Sequence, residues 1–115
     1  MGYNVETGKE AAMVSKYGIS ITNGVCGIKL AGELDFANSE QVSDWLFNVI
    51  EKNSCPVFEL DLAELGFLDS SGISVLVIAA RLINRRGAKL QSVNPQPAVR
   101  RVIDTTGVNT VLGLR

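Results

Sequence analysis

The strand-like stretches of this chain are apolar on alternate residues only, and that restricts the folds open to it. In VCGIKL (25–30), Cys26, Ile28 and Leu30 share one side and Lys29 takes the other. In VFELDL (57–62), Phe58, Leu60 and Leu62 oppose Val57, Glu59 and Asp61. In AKLQSV (88–93), Leu90 and Ser92 oppose Lys89 and Gln91. Successive side chains of a strand point to opposite faces, so these strands build a sheet with one apolar face and one polar face. A sheet covered by helices on both sides reads instead as continuous apolar runs. The helices are therefore expected mainly on one face, which argues against a doubly wound nucleotide-binding fold.

Helical segments alternate with these strands. YGISITNGVCGIKLAGELD (17–35) reads as a hairpin turning at Asn23-Gly24, where both residues tolerate positive φ. NSEQVSDWLFNVIEKN (38–53) carries Val42, Trp45, Leu46, Val49 and Ile50 at helical spacing, with Asn38 and Gln41 in a capping-box arrangement and Trp45 as a core anchor. A second helix is expected from about Ser71 to Arg86, closed by Gly87, and a third across PQPAVRRVIDTTG (95–107). TVLGL (110–114) reads as a last short strand. The order gives an α/β domain with a mixed sheet. Residues 1–12 are polar and small and are expected to be a flexible tail, leaving 13–115 as the single domain.

Composition excludes several kinds of chemistry. The chain has no histidine, which removes serine–histidine and cysteine–histidine catalysis and most metal sites. Neither GxSxG nor a P-loop or GxGxxG is present, so a serine hydrolase or a nucleotide-binding module is not expected. Cys26 and Cys55 lie outside any CxxC motif and read as thiols acting as partly buried small hydrophobes. Residues 1–80 hold eleven acidic and four basic side chains, and residues 81–115 hold one acidic and seven basic. The basic residues are spread out without interleaved aromatics, so solvated helix faces explain them better than a nucleic-acid surface. No run of membrane-spanning length and no signal peptide is visible, so a cytoplasmic protein with no membrane association is expected.

The chemistry concentrates in FLDSSGISVLVIAARL (67–82). A strand ends at Asp69, two serines and a glycine follow, and a nearly all-apolar helix begins. Ser70 falls at or next to the helix N-cap. Its oxygen either caps the helix or is free to accept a phosphate, which adds about −1.5 to −2 charges where the helix dipole tolerates them. Gly72 costs helix stability, so something is expected to approach the backbone there. Ile73, Leu76, Val77, Ala80 and Ile83 form one apolar stripe, while Val75, Ile78, Ala79 and Leu82 form a second. The second stripe meets either a neighbouring helix or a partner.

GELD (32–35), DLAELGFLDSSGISVLV (61–77), RRGAKL (85–90) and PAVRRVIDTTGV (97–108) stand together in an order that resembles the STAS domain of bacterial anti-sigma factor antagonists, the SpoIIAA-like family, over about residues 17–114. The resemblance implies a single STAS-like domain that is not an enzyme and takes no cofactor. It implies that the unphosphorylated protein binds an anti-sigma factor serine kinase and frees a sigma factor. The kinase then phosphorylates the serine after the DSSG aspartate, here Ser70, and a serine phosphatase reverses this. Asp35 matches a family acidic residue near the phosphosite. Asp69, Ser71, Gly72 and Ile73 would line the partner-binding surface, with Val75 or Ile78 as apolar contacts. Ser74 departs from the glycine common in the family, and many members carry a further helix after the position of Arg115. The alternative within the fold is a non-switching subunit of a stressosome or a lipid-transport complex. Monomer and weak dimer both remain open.

Overall fold

A computed structural model describes residues 4–7 and 16–114. Five strands and three helices follow in the order β1 (Asn4–Thr7), β2 (Lys16–Thr22), β3 (Val25–Leu34), α1 (Ser39–Lys52), β4 (Val57–Leu68), α2 (Ser70–Arg85), β5 (Lys89–Val93) and α3 (Pro97–Thr106). One mixed sheet runs β1-β2-β3-β4-β5. The β1/β2 and β2/β3 pairs are antiparallel, while β3, β4 and β5 are parallel. The hairpin between β2 and β3 turns where the sequence placed it, with positive φ at Asn23 (52°) and Gly24 (78°). That backbone matches the right-handed twist of the flanking strands.

The apolar face of the sheet packs under the helices. Cys26, Ile28 and Leu30 of β3, Phe58, Leu60 and Leu62 of β4, and Leu90 of β5 join Val42, Leu46, Val49 and Ile50 of α1, Leu76, Ala80 and Ile83 of α2, and Val99 and Ile103 of α3 in one buried cluster. The opposite face keeps its polar residues in pairs. Lys29 bridges Glu64 at 2.5 Å, Gln91 donates to Glu59 at 3.1 Å, and Asn94 donates to Asp61 at 3.4 Å. The sheet therefore has the one-sided helical cover that the alternating strands predicted.

Several expectations change. Strand β1 lies within the expected tail 1–12; the rest of that tail is outside the described residues. The strand VFELDL continues to Leu68, and its register against β3 shifts twice on the way. These irregularities bring Leu65 and Leu68 into the core at a spacing that strict alternation would not give. Asn38 does precede α1, but its side chain makes no cap. Its amide accepts from the Asp35 N–H at 3.0 Å and donates to the Glu33 carbonyl at 2.8 Å, so it braces the loop before the helix instead. Trp45 is half-buried and packs on Tyr17, with ring centroids 4.5 Å apart.

The TVLGL segment is a series of turns rather than a strand. Leu112 and Leu114 are nonetheless buried, and the segment covers part of the free edge of β5. Ser92 donates its N–H to the Gly113 carbonyl at 3.2 Å and its hydroxyl to the Leu112 carbonyl at 2.6 Å. Gly113 has φ +66°, and a Cβ there would strike the Leu90 carbonyl. Left-handed backbone and close approach together interrupt any ladder at this point.

Candidate functional site: the paired aspartate loops

Parallel pairing brings the two most informative sequence stretches together. Leu34 is opposite Leu68 at the C-terminal ends of β3 and β4. Both leucines are buried, and each is followed by an aspartate, Asp35 or Asp69. The Asp69 N–H donates to the Leu34 carbonyl at 3.3 Å, so the loops emerge side by side.

Each carboxylate organises backbone. Asp35 Oδ1 accepts from the N–H groups of Ala37 at 3.0 Å and Asn38 at 3.3 Å. Asp69 is the N-cap of α2, and its Oδ1 accepts from the Gly72 N–H at 3.0 Å. Its Oδ2 reaches across to the Phe36 N–H, also at 3.0 Å. One aspartate thus starts the helix and ties the neighbouring loop to it. An acidic side chain is the favoured occupant of that position, because it satisfies an orphan N–H at the positive end of the helix dipole.

Ser70 consequently has no capping duty. It is the first residue of α2 and is exposed, and its hydroxyl has no hydrogen-bond partner among the described residues. The helix begins one residue earlier than the sequence suggested, and the cap moves from Ser70 to Asp69. Ser71 is half-buried.

The glycine after the serines answers to the protein's own backbone. A Cβ on Gly72 would lie 2.5 Å from the Leu34 carbonyl oxygen and 2.6 Å from Leu68 Cδ1. Only a residue without a side chain lets the first turn of α2 sit this close to the end of β3. Gly72 is buried, as are Ile73 (8% exposed) and Val75 (7%). These three positions, expected on a partner-facing surface, face the interior. The second apolar stripe is largely explained by packing: Val75 and Ala79 are in the core, and α2 contacts α1. Ile78 alone of the apolar contacts expected from the sequence stands outside, 43% exposed.

Two aromatic residues were missed. Phe36 is 82% exposed and Phe67 48% exposed, both at this end of the sheet. Phe67 is paired with Glu33 and so points away from the helices. Its parity follows the shifted register of β4, which sequence alternation alone does not reveal. Phe36 sits directly after GELD, where a large apolar side chain in a polar loop was the available signal. At this end of the sheet stand the exposed aromatics Phe36 and Phe67 and the carboxylates of Glu33, Asp35 and Asp69, and α2 presents the exposed Ser70, Ser74 and Ile78. Among the described residues no group of three or more His, Cys, Asp or Glu could hold a metal ion. No described helix is long and apolar enough to cross a membrane.

Comparison with known proteins gives a consistent picture. An anti-sigma F factor antagonist of Paenibacillus polymyxa is 33% identical over 89 residues, covering 77% of this chain and 76% of the relative. The anti-sigma factor antagonist SpoIIAA in its unphosphorylated form superposes with a TM-score of 0.69 at 26% identity, covering 84% of this chain and 82% of its own. The phosphorylated form of SpoIIAA, the Bacillus cell fate determinant, shares the fold with a TM-score of 0.64 at 24% identity, covering 82% of this chain and 86% of its own. A family model described as STAS domain matches residues 17–115, which takes in β2 through α3 and both aspartate loops. The chain belongs to the STAS domain family, as a relative of the anti-sigma factor antagonists.

Proposed function

We propose that this protein is an anti-sigma factor antagonist that works by partner switching. In its unphosphorylated form it binds an anti-sigma factor that is a serine kinase, and so releases a sigma factor in the cytoplasm. Phosphorylation of Ser70 breaks that complex, and a serine phosphatase restores it. The protein carries out no chemistry of its own and takes no cofactor.

The observation that carries this reading is the division of labour between neighbouring residues. Asp69 caps α2, which leaves the adjacent Ser70 hydroxyl exposed and without a structural duty. A phosphate on Ser70 would sit at the positive end of a helix dipole, so the monomer tolerates it. The same phosphate would stand beside Asp35 and Asp69 and make an already acidic surface more so. A partner packed there meets both a steric block and, where it is acidic, repulsion. SpoIIAA, whose fold this chain shares, has an unphosphorylated and a phosphorylated form.

The test is incubation of the full chain with ATP and each anti-sigma kinase of the same genome, followed by intact-mass and peptide mass spectrometry. A single phosphate on Ser70, with loss of the complex, supports the switch. A stable complex with no phosphate from any kinase would falsify it, and would favour a non-switching subunit of a larger assembly.

A further inference from the structure

Helices α1 and α2 end beside one another, and their last turns enclose a groove. From α1 it is lined by Phe47, Ile50 and Glu51, and from α2 by Leu82, Arg85 and the C-cap residue Arg86. Ile50 is fully buried and forms the floor. Phe47 and Leu82 are half-buried walls that pack on the core from outside. Glu51, Arg85 and Arg86 are exposed at the rim. The groove has a volume of about 390 Å³, within the span of small-ligand sites, which are mostly apolar with a few placed polar groups.

The rim charges have different duties. The Arg86 guanidinium donates to the Ile50 carbonyl and, at 3.0 Å, to the Asn53 carbonyl. These belong to the end of α1, where carbonyls lack helical partners, so Arg86 is committed to holding the two helices together. Arg85 has no hydrogen bond or ion pair among the described residues. Two guanidiniums and one carboxylate leave the rim with a net positive charge. A free guanidinium above a trough of Phe and Leu suits a ligand with an apolar body and one anionic end.

We propose that this groove binds the anion of a medium-chain fatty acid, with the chain between Phe47 and Leu82 and the carboxylate on Arg85. Covering the two walls removes apolar surface from water, which holds the chain. The planar guanidinium matches a carboxylate through two parallel hydrogen bonds. Glu51 at the same rim repels a second negative charge, so a carboxylate is favoured over a phosphate monoester, which is close to dianionic at neutral pH. A cationic amphiphile would face two guanidiniums instead. Ser70 and Arg85 are the first and last residues of α2, about 22 Å apart along a helix of that length. The groove is therefore separate from the surface proposed for the anti-sigma kinase.

The experiment titrates the full chain with sodium decanoate, kept below its micelle concentration, and follows calorimetric heat and amide chemical shifts. One molecule should bind per chain, saturably, with the largest shifts at Phe47, Glu51, Leu82 and Arg85. Decanol and decylamine keep the chain and change the head group, and should bind at least about tenfold more weakly. Arg85→Gln places a good helix former at an exposed position, so its thermal midpoint should match the parent. Its affinity for decanoate should fall about tenfold, while its affinity for decanol stays the same. Equal affinity for decanol or decylamine, undiminished decanoate binding in Arg85→Gln, shifts centred on Phe36 and Ile78, or no saturable binding would each overturn the proposal.

Discussion

The carboxylate of Asp69 accepts the backbone N–H of Phe36 from across the β3–β4 pair at 3.0 Å, while its other oxygen caps α2 through Gly72. A single side chain thus fixes the position of an exposed aromatic relative to the first turn of the helix that carries Ser70. An exposed Phe on an untethered loop would lose conformational freedom on binding. Here that freedom has already been given up in folding.

Asp69→Ala removes both acceptors. It should lower unfolding free energy by about 2 kcal/mol, combining a lost cap with a lost loop bond. Asp69→Asn keeps an acceptor at the cap and should cost less than half of that. Urea denaturation of the three proteins checks the order.

Ser70→Ala and Ser70→Asp should both stay within about 0.5 kcal/mol of the parent, because the hydroxyl holds nothing in place and an acidic residue suits a helix start. Their binding should diverge. Ser70→Ala retains the anti-sigma kinase complex in the presence of ATP, and Ser70→Asp weakens it by an order of magnitude or more (~1.4 kcal/mol). Isothermal titration with and without ATP measures this. A large loss of stability in Ser70→Asp would mean that the residue is structural after all.

Gly72→Ala pits two effects against each other. Replacing a helix glycine with alanine gains about 1 kcal/mol of propensity. The new methyl, however, lands on the Leu34 carbonyl, a backbone atom that cannot rotate away. Overpacking of this kind costs about 1–3 kcal/mol, so net destabilisation is expected. A rise in the thermal midpoint would show that α2 can shift away from β3.

Phe36→Ala should leave stability within about 0.5 kcal/mol, since the ring is exposed and alanine keeps the N–H that Asp69 holds. Affinity for the anti-sigma kinase should fall about tenfold or more, as expected for an aromatic anchor in an interface. The same measurement on Ile78→Ala tests whether the surface extends along α2. Unchanged affinity in both would move the interface away from this end of the sheet.

The sequence by itself determined the architecture and pointed to the candidate site. Alternation in β3, β4 and β5 dictated a sheet with one polar face, Asn23-Gly24 dictated the hairpin, and the DSSG turn marked where a helix starts beside a carboxylate. These are local properties, set by the two-residue period of a strand and by the φ preferences of individual residues. Roles that depend on what lies across the sheet were not legible. Capping fell to Asp69 rather than Ser70, and the reason for Gly72 proved to be Leu34, far away in sequence. Val75 went into the core, while Phe36 and Phe67 came to the surface. Each of these depends on the parallel register that sets Leu34 opposite Leu68 and on the irregularities in β4 that shift its parity. Register is a relationship between distant segments, fixed only when α1 and α2 pack against the assembled sheet.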